Sequence, residues 1–358
     1  MSADFPLTRT AHPVPEAERA RILGAPVFSR YFTDHMAFAS WTPDNGWHDR
    51  GIGPLEPFTF HPGAAVLHYA QEIFEGLKAY RHADDSVWLF RPEANARRFA
   101  RSARRLALPE LPVEDFLASV EGLIRADEPW VPAPDGERSL YLRPFMFGAD
   151  PFLGLRPARQ VTYSVIATPT GSYYSSGITL WVSDRYTRAA RGGTGAVKCG
   201  ANYAAGLAAQ TDAREHGCEE VLYLDSSGEG RLEEAGTMNL CLVLSDGRLV
   251  TPALGTILAG VTRDSVLGLA AAFGLVPEER TVTLDELRSG AEDGTITEVF
   301  TVGTAVVVTP VVALKGDGYE FVIGNGTPGK RTTALREHVL DIQHGRAEDP
   351  FGWMRRVL

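Results

Sequence analysis

The chain has 358 residues, of which 44% are hydrophobic and 22% charged, a composition typical of an ordinary globular protein. One hydrophobic core rarely organises a chain of this length, so we expect two domains. The formal net charge of −10 argues against nucleic-acid binding, because phosphate backbones select basic surfaces. No apolar run reaches the length of a membrane span, so we expect no membrane association.

The N-terminal residues do not predict a secretory signal. They lack a basic flank that leads into an apolar core, and Glu16 and Glu18 follow soon after. The three cysteines, Cys199, Cys218 and Cys241, are odd in number and lack metal-ligand spacing. We therefore expect a reduced, cytoplasmic protein without a metal site.

Turn residues and apolar spacing predict the first elements of the chain. Residues 1–27 are rich in Pro, Ala and charge without periodicity, which predicts an extended arm. The stretch from Tyr80 to Phe90 predicts a hairpin, and Pro92 marks the start of a helix. Small polar residues at 171–180 indicate an interdomain linker.

Strand and helix signals alternate beyond this linker. Helices are predicted at about 202–216 and 262–273, each ending before a glycine. We therefore expect two α/β domains, 28–170 and 181–358. The predicted strands of the second domain include 221–224, 240–244 and 248–250.

Lys198 lies in the glycine-rich run 192–203, where small residues let a planar ligand approach the backbone closely. A lysine that condenses with an aldehyde must leave bulk water, where its pKa of about 10.4 keeps it protonated. A solvated surface lysine beside a glycine loop is the alternative, and this run alone favours it. The second run, 233–239, has paired glutamates before Gly-Thr, and it makes the buried lysine the favoured interpretation. Together the two runs predict a pyridoxal phosphate site.

Both runs resemble those of the branched-chain aminotransferases, which are fold type IV pyridoxal phosphate enzymes. Further blocks of the chain also resemble the family, and they occur in the family's order from about Phe28 to the end of the chain. It implies a smaller N-terminal α/β domain and a larger C-terminal domain with a barrel-like sheet. It also implies a homodimer in which a loop of one subunit helps to close the pocket of the other. The further matching blocks are 32–36, 74–80, 141–144, 260–263, 303–305 and 341–343.

The resemblance implies roles for individual residues around the cofactor. Lys198 would anchor it and move the substrate's Cα proton, Glu234 would pair with its pyridine nitrogen, and Tyr203 would bind its 3′ oxygen. Glu233 is expected to be a solubilising charge at a strand edge. Without the family, Tyr203 would be an aromatic residue packed at the start of a helix.

The cofactor's phosphate needs donors and positive charge. Val261 and Thr262 follow Gly260 at a predicted helix start, where backbone N–H groups and the helix dipole attract an anion. Arg98 matches the family's phosphate arginine in an arginine-rich helix whose other arginines are expected to be solvated. Those others are Arg97, Arg101, Arg104 and Arg105. Thr237 and Thr304 complete the expected cofactor-binding set.

The expected substrate pocket is mostly aromatic, although each aromatic residue has the alternative of a plain core position. Arg143 shares a strand face with Tyr141 and would recognise the distal carboxylate of glutamate, with a structural salt bridge as its alternative. Tyr174 competes with Tyr173 for a place in the pocket. Glu75 and Lys78 are expected to be structural. The full expected set is Phe32, Tyr69, Phe74, Tyr141, Arg143, Tyr173, Thr304 and Ala305.

The resemblance implies transamination in two half-reactions, from Leu, Ile or Val to the cofactor and then to 2-oxoglutarate. A D-amino-acid aminotransferase or an aminodeoxychorismate lyase would share the lysine and the glutamate, but the blocks at 141–144 and 74–76 favour the branched-chain group. A non-catalytic binding module is disfavoured, because the three cofactor residues Lys198, Glu234 and Tyr203 are all present. Some mammalian members carry a cysteine pair after the Gly-Thr-Ala turn. Residues 303–310 contain no cysteine here, so we expect no thiol switch at that position.

Overall fold

The computed structural model describes residues 4–174 and 176–358. Ser175 of the predicted linker and the first three residues of the predicted arm lie outside the described residues. In chain order the elements are α1 (Glu16–Gly24), β1 (His35–Thr42), β2 (Gly46–Pro54), α2 (Ala65–Tyr69), β3 (Glu72–Phe74), β4 (Leu77–Arg81), β5 (Val87–Phe90), α3 (Pro92–Arg105), α4 (Val113–Ala126), β6 (Ser139–Gly148), β7 (Val161–Thr170), β8 (Ile178–Ser183), α5 (Gly200–Ala205), α6 (Leu207–Glu215), β9 (Glu220–Leu224), β10 (Leu232–Ala235), β11 (Met238–Leu244), β12 (Arg248–Pro252), α7 (Val261–Leu269), β13 (Val276–Arg280), α8 (Leu284–Asp293), β14 (Ile296–Gly303), β15 (Val307–Gly316), β16 (Tyr319–Val322), α9 (Lys330–Gln343) and β17 (Met354–Arg356).

Contacts between Cα atoms divide the chain into two compact units. Unit 1 holds the described residues up to Tyr173, together with Val197–Gly200 and Asp341–Leu358. Unit 2 holds the described residues of Tyr174–Ala196 and Ala201–Leu340. Unit 1 is the longer of the two, because it includes the arm and the C-terminal segment, whereas we expected a smaller N-terminal part. The boundaries predicted from the sequence stay a prediction.

Unit 1 is built on a sheet of eight strands in the order β17-β5-β4-β6-β7-β1-β2, with β3 paired to β6. One face of this sheet packs against α3 and α4, where Phe99 and Phe116 join one buried apolar cluster with Leu140 and Leu142 of β6. Side chains alternate between the two faces of a strand. The residue between those leucines, Tyr141, therefore lies on the face away from the helices.

Unit 2 contains a closed barrel of six strands. The pairing runs β10-β9-β8-β15-β14-β11 and returns from β11 to β10, so the ring has no edge. Buried apolar residues from its strands, among them Leu180, Leu222, Leu240 and Val299, form one cluster. The predicted barrel-like sheet is confirmed.

Several local predictions are confirmed. β4 and β5 form the predicted antiparallel hairpin, with Tyr80 paired to Trp88. α3 begins at Pro92, which lacks the N–H that a first-turn residue would leave unpaired. The 3₁₀ turn that follows α7 ends before Gly274, which has a left-handed conformation with φ 65°.

Three local predictions were wrong in part. The arm is not wholly extended, because α1 forms with glutamates in its first turn and Arg21 in its last, as the helix dipole favours. The predicted helix at 202–216 is divided into α5 and α6 at Gly206, where a Cβ atom would lie against the Tyr223 hydroxyl. The last residues of the predicted linker belong to the barrel strand β8.

No helix within the described residues has the length and apolar character of a membrane span. Across residues 4–174 and 176–358, no group of three or more His, Cys, Asp or Glu side chains is arranged to hold a metal ion.

Candidate active site

The backbone of Lys198 is held from two sides within unit 1. Its N–H donates to the Oγ of Ser102 on α3 at 3.1 Å, and its carbonyl accepts from the N–H of Phe74 on β3 at 3.0 Å. The Nζ atom lies 4.7 Å from the centre of the Phe74 ring. The lysine is therefore positioned by its main chain, and its amine lies beside an aromatic ring.

The surroundings of Lys198 favour its neutral form. Burial lowers the pKa of the amine to about 8, and the positive charge of Arg98 acts in the same direction. The charge of Glu75 opposes them and keeps the pKa from falling further. Such an amine is a far better nucleophile and base near neutral pH than a solvated lysine.

Arg98 is the buried arginine of α3, and it pairs with Glu75 through both prongs of its guanidinium. Nε lies 2.7 Å from Oε1 and Nη2 lies 2.8 Å from Oε2, while Asn95 donates to Oε2 at 2.8 Å. Although burial raises the pKa of Glu75, these partners lower it overall. The other four arginines of the helix are exposed, as expected. A phosphate role for Arg98 stays a prediction, and it must coexist with this ion pair.

Arg143 and Tyr141 lie on one face of β6, as predicted. Arg143 Nη2 donates to the Tyr141 hydroxyl at 3.1 Å, and the guanidinium carbon lies 4.8 Å from the centre of the Phe74 ring. A Cβ atom on Gly76 would overlap the Tyr141 hydroxyl, so that position requires glycine. Three of the expected pocket residues are thus brought together beside Lys198.

Phe28 extends this aromatic group. Its ring centre lies 5.0 Å from that of Tyr141 and 5.8 Å from that of Tyr173, edge to face in both cases. Tyr174 packs instead against the buried cluster of the barrel. The contacts of unit 1 therefore favour Tyr173 over Tyr174 as the pocket residue. Sequence reasoning missed Phe28, because a single aromatic residue after an irregular arm carries no pattern.

Phe32 and Tyr69 are not brought into this group by the contacts of the described residues. Phe32 is 42% exposed. Tyr69 stacks with Phe152 at 6.2 Å between ring centres, and its hydroxyl donates to the carbonyl of Leu153. Their substrate roles stay a prediction.

Glu72 is a second residue that sequence reasoning missed. Its Oε1 accepts the N–H of Gly200, two residues after the lysine, and a Cβ atom on Gly200 would overlap this carboxylate. Burial raises the pKa of Glu72, while the charge of Arg143 opposes the rise. The signal for it was weak, since it precedes the recognisable block at 74–80 by two residues.

Glu234 is buried in unit 2 on the barrel strand β10. Its Oε1 accepts the N–H of Leu258 at 2.7 Å and the Nδ2 of Asn239 at 3.1 Å. Its Oε2 pairs with Nε of Arg188 at 2.7 Å. Three donors, one of them a cation, stabilise the ionised carboxylate where burial alone would oppose it.

Sequence reasoning missed two side chains that hold Glu234, Asn239 and Arg188. Asn239 lies in the run 233–239, whose pattern predicts no role for it, and it also donates to the carbonyl of Leu258 at 2.9 Å. A Cβ atom on Gly260 would overlap the Asn239 side chain, so this glycine permits the contact. Arg188 precedes the glycine-rich run, and a lone arginine there predicts nothing by itself.

The prediction for Glu233 was wrong. Its side chain is buried rather than solvated at a strand edge, and Thr256 Oγ1 donates to its Oε1. The reason is that β10 belongs to a closed barrel and has neighbouring strands on both sides. Burial raises the pKa of Glu233.

The expected phosphate residues Val261 and Thr262 open α7, a helix of nine residues. Gly260 is its N-cap, and a glycine offers no side chain to cap the first N–H groups. The helix start is therefore of the kind that binds anions.

The remaining cofactor and substrate candidates of unit 2 lie in turns or on the short helix α5. Thr237 is exposed in the two-residue turn between β10 and β11. Thr304 and Ala305 lie in the turn between β14 and β15, and not within a strand. Tyr203 lies on α5 and is partly exposed. These positions leave their predicted roles untested.

The chain is similar to known proteins over nearly its whole length. The family model of amino-transferase class IV matches residues 72–314. A branched-chain-amino-acid aminotransferase of Mycolicibacterium smegmatis is 50% identical over 361 residues, covering 99% of this chain and 98% of the relative.

Solved structures agree with this. The branched-chain amino acid aminotransferase of Escherichia coli superposes with a TM-score of 0.76 at 28% identity, covering 91% of this chain and 99% of that one. A second branched-chain amino acid aminotransferase, complexed with N-(5'-phosphopyridoxyl)-L-glutamate, superposes with a TM-score of 0.74 at 30% identity, covering 90% and 99%. By sequence and by fold, this chain belongs to the branched-chain-amino-acid aminotransferases of amino-transferase class IV.

Proposed function

We propose that this aminotransferase exchanges the amino group of L-Leu, L-Ile or L-Val with 2-oxoglutarate, using pyridoxal 5'-phosphate held by Lys198. The observation that carries the proposal is the environment of Lys198, where burial and Arg98 lower the pKa of the amine to about 8. The solved relative that is complexed with phosphopyridoxyl-glutamate supports both the cofactor and the glutamate partner.

The residues present fit this cofactor. A desolvated amine suits its aldehyde, a buried carboxylate with three donors suits its pyridine nitrogen, and the glycine-capped start of α7 suits its phosphate. When bound, pyridoxal phosphate supplies an electron sink for the negative charge that develops at the substrate's Cα.

The proposed work of the protein is to place protons and charges. Lys198 Nζ holds the proton removed from the substrate's Cα, since an amine of pKa about 8 both accepts and returns a proton near neutral pH. The ionised Glu234 holds the proton on the pyridine nitrogen, and the Tyr203 hydroxyl orients the 3′ oxygen. The proposed phosphate ligands are Arg98, Val261, Thr262 and Thr304, and Thr237 is a further proposed cofactor-binding residue.

The substrate residues are proposed to serve two side chains in turn. Phe74, Tyr141 and Tyr173 form an apolar wall for the aliphatic chain. Arg143 meets the distal carboxylate of glutamate or 2-oxoglutarate, and it rests on the rings of Phe74 and Tyr141 when an aliphatic chain is bound. The remaining proposed members are Phe32, Tyr69, Thr304 and Ala305.

We also propose a cytoplasmic homodimer. Leu153 and Leu155 are 80% and 86% exposed, as expected of a loop that packs on a second subunit. Light scattering of the purified protein tests this, and a monomer at micromolar concentration would contradict it.

The function is tested by spectrophotometric half-reactions with L-leucine, D-alanine and L-glutamate in parallel. We expect conversion of the bound cofactor by L-leucine and L-glutamate and none by D-alanine. Conversion by D-alanine alone would instead indicate a D-amino-acid aminotransferase. A protein that stays colourless with added pyridoxal phosphate would indicate a binding module. In the protein with bound cofactor, borohydride reduction should attach the cofactor to the peptide that contains Lys198.

A further inference from the structure

Arg188 binds three separate segments of unit 2 through three different nitrogens. Its Nε pairs with Glu234 on β10 at 2.7 Å, and Nη1 donates to the carbonyl of Thr256, ahead of α7, at 2.9 Å. Its Nη2 donates to the carbonyl of Gly195, in the glycine-rich run, at 2.8 Å. The side chains of Arg188 and Glu234 are only 7% and 4% exposed, so water competes little for these bonds.

The geometry of this contact suits arginine and requires its neighbours to be small. A guanidinium presents donors in a rigid planar fork, whereas a lysine ammonium reaching the same point cannot serve three partners at fixed angles. A Cβ atom on Gly195 would overlap the Thr256 carbonyl and would lie 3.1 Å from Arg188 Nη1. Gly195 and Arg188 therefore fit together as a pair.

We propose that Arg188 is a positioning residue that fixes the ionised carboxylate of Glu234 and ties it to the glycine-rich run. This inference rests on the proposed function, because it acts on the cofactor through Glu234. Without the guanidinium, Glu234 would keep the donors Leu258 and Asn239 but lose its cationic partner. Burial then favours the neutral acid, which holds the proton on the pyridine nitrogen less firmly.

A double-mutant cycle separates this role from a general effect on folding. The variants are Arg188→Gln, Glu234→Gln and the combination of both. Each is measured for its dissociation constant with pyridoxal phosphate, for the pH dependence of the bound cofactor's absorbance, and for Tm. Arg185→Gln is the matched control, since Arg185 is exposed three residues earlier and lies 5.1 Å from the Tyr186 ring.

In the wild-type background we expect Arg188→Gln to weaken cofactor affinity roughly tenfold or more, as contacting residues in one network commonly show. In the Glu234→Gln background the same change should weaken it less than about twofold, because the partner through which Arg188 acts is already gone. The pH at which the bound cofactor's absorbance changes should shift in Arg188→Gln and return towards wild type in Arg188→Lys. Arg185→Gln should match the wild type.

Equal losses in both backgrounds would overturn the proposal, since Arg188 would then act independently of Glu234. An unchanged affinity in Arg188→Gln would overturn it as well. If Arg188→Gln does not fold, Arg188→Lys carries the same cycle, with a smaller loss expected in the wild-type background alone. A wild-type protein without cofactor binding would refute the proposed function, whereas wild-type binding with additive variants refutes only the role of Arg188.

Discussion

Lys198 in unit 1 is partly buried and Glu234 in unit 2 is buried, and their surroundings act on the two charges in opposite senses. Burial and the cation Arg98 push the lysine towards its neutral form. Around the glutamate, Arg188, Asn239 and a backbone N–H donate to the carboxylate and stabilise its charge. Burial alone would neutralise both groups. The comparison teaches that burial acts against the charge of both groups, and that the neighbouring charges decide whether this effect is reinforced, as by Arg98 at Lys198, or opposed, as by Arg188 at Glu234.

Removing the amine of Lys198 is the largest test of this contrast. Lys198→Ala should lower transamination of leucine on the order of a thousandfold or more, because the anchor and the general base are lost together. Steady-state rates with the exposed Lys330→Ala as control check this. A Lys198→Ala enzyme with more than a tenth of wild-type activity would show that another base does the work.

The next test removes the negative charge of Glu234 in unit 2. Glu234→Gln keeps the shape of the side chain, so cofactor should still bind, while turnover falls roughly ten- to a hundredfold with the loss of one charge-assisted bond. Glu233→Gln, the adjacent buried carboxylate of the strand, serves as the matched control. Wild-type turnover in Glu234→Gln would end this assignment.

A third variant tests Arg143, a cation of unit 1 for which we propose a role in substrate binding. A charge-assisted hydrogen bond contributes about 1.5–3 kcal/mol, so Arg143→Gln should lower kcat/KM for glutamate on the order of ten- to a hundredfold. The kcat/KM for leucine should fall far less. Equal falls in the two half-reactions would make Arg143 structural.

The pKa of Lys198 predicts a modest pH dependence. With the amine's pKa lowered to about 8, the rate at which apoprotein takes up pyridoxal phosphate should rise about tenfold per pH unit below 8 and then level off. The unfolded chain holds the lysine's proton up to its usual pKa near 10.5, so between these values the unfolded state binds more protons. The free energy of unfolding of the apoprotein should therefore rise with pH in that window, and Lys198→Met should lack this rise. A flat uptake rate between pH 6 and 8 would contradict the lowered pKa.

The smallest expected effect is that of mild oxidants. Cys199, Cys218 and Cys241 are buried free thiols, and burial raises the pKa of Cys241 to about 12, which suppresses its reactive thiolate. Activity should therefore persist in dilute peroxide. Rapid inactivation of Cys199→Ala that dithiothreitol reverses would reveal a switch elsewhere.

Local signals predicted the parts of the fold that depend on neighbouring residues. The hairpin at Tyr80–Phe90 and the start of α3 at Pro92 needed only turn chemistry and helix capping. The strand face shared by Tyr141 and Arg143 followed from alternation alone. The division of the helix at Gly206 did not follow from local signals, which do not show that the hydroxyl of Tyr223 on β9 lies against this glycine.

The candidate site shows the same limit. Family blocks supplied Lys198 and Glu234, but their partners come from distant segments that no pattern joins. Glu233 was misjudged because its burial requires a barrel that closes through β10 and β11. Arg188 was missed because its three partners lie in segments that only the folded chain brings to one guanidinium.

The four residues Val197–Gly200 belong to unit 1 although the chain before and after them belongs to unit 2. The polypeptide thus changes units twice around Lys198, and it enters unit 1 for the third time at Asp341–Leu358. No single cut can release either unit with its own residues complete. A gene fragment that ends at Tyr173 would encode most of the eight-stranded sheet but neither Lys198 nor β17. An exchange of either unit between two related genes would therefore need more than one crossover.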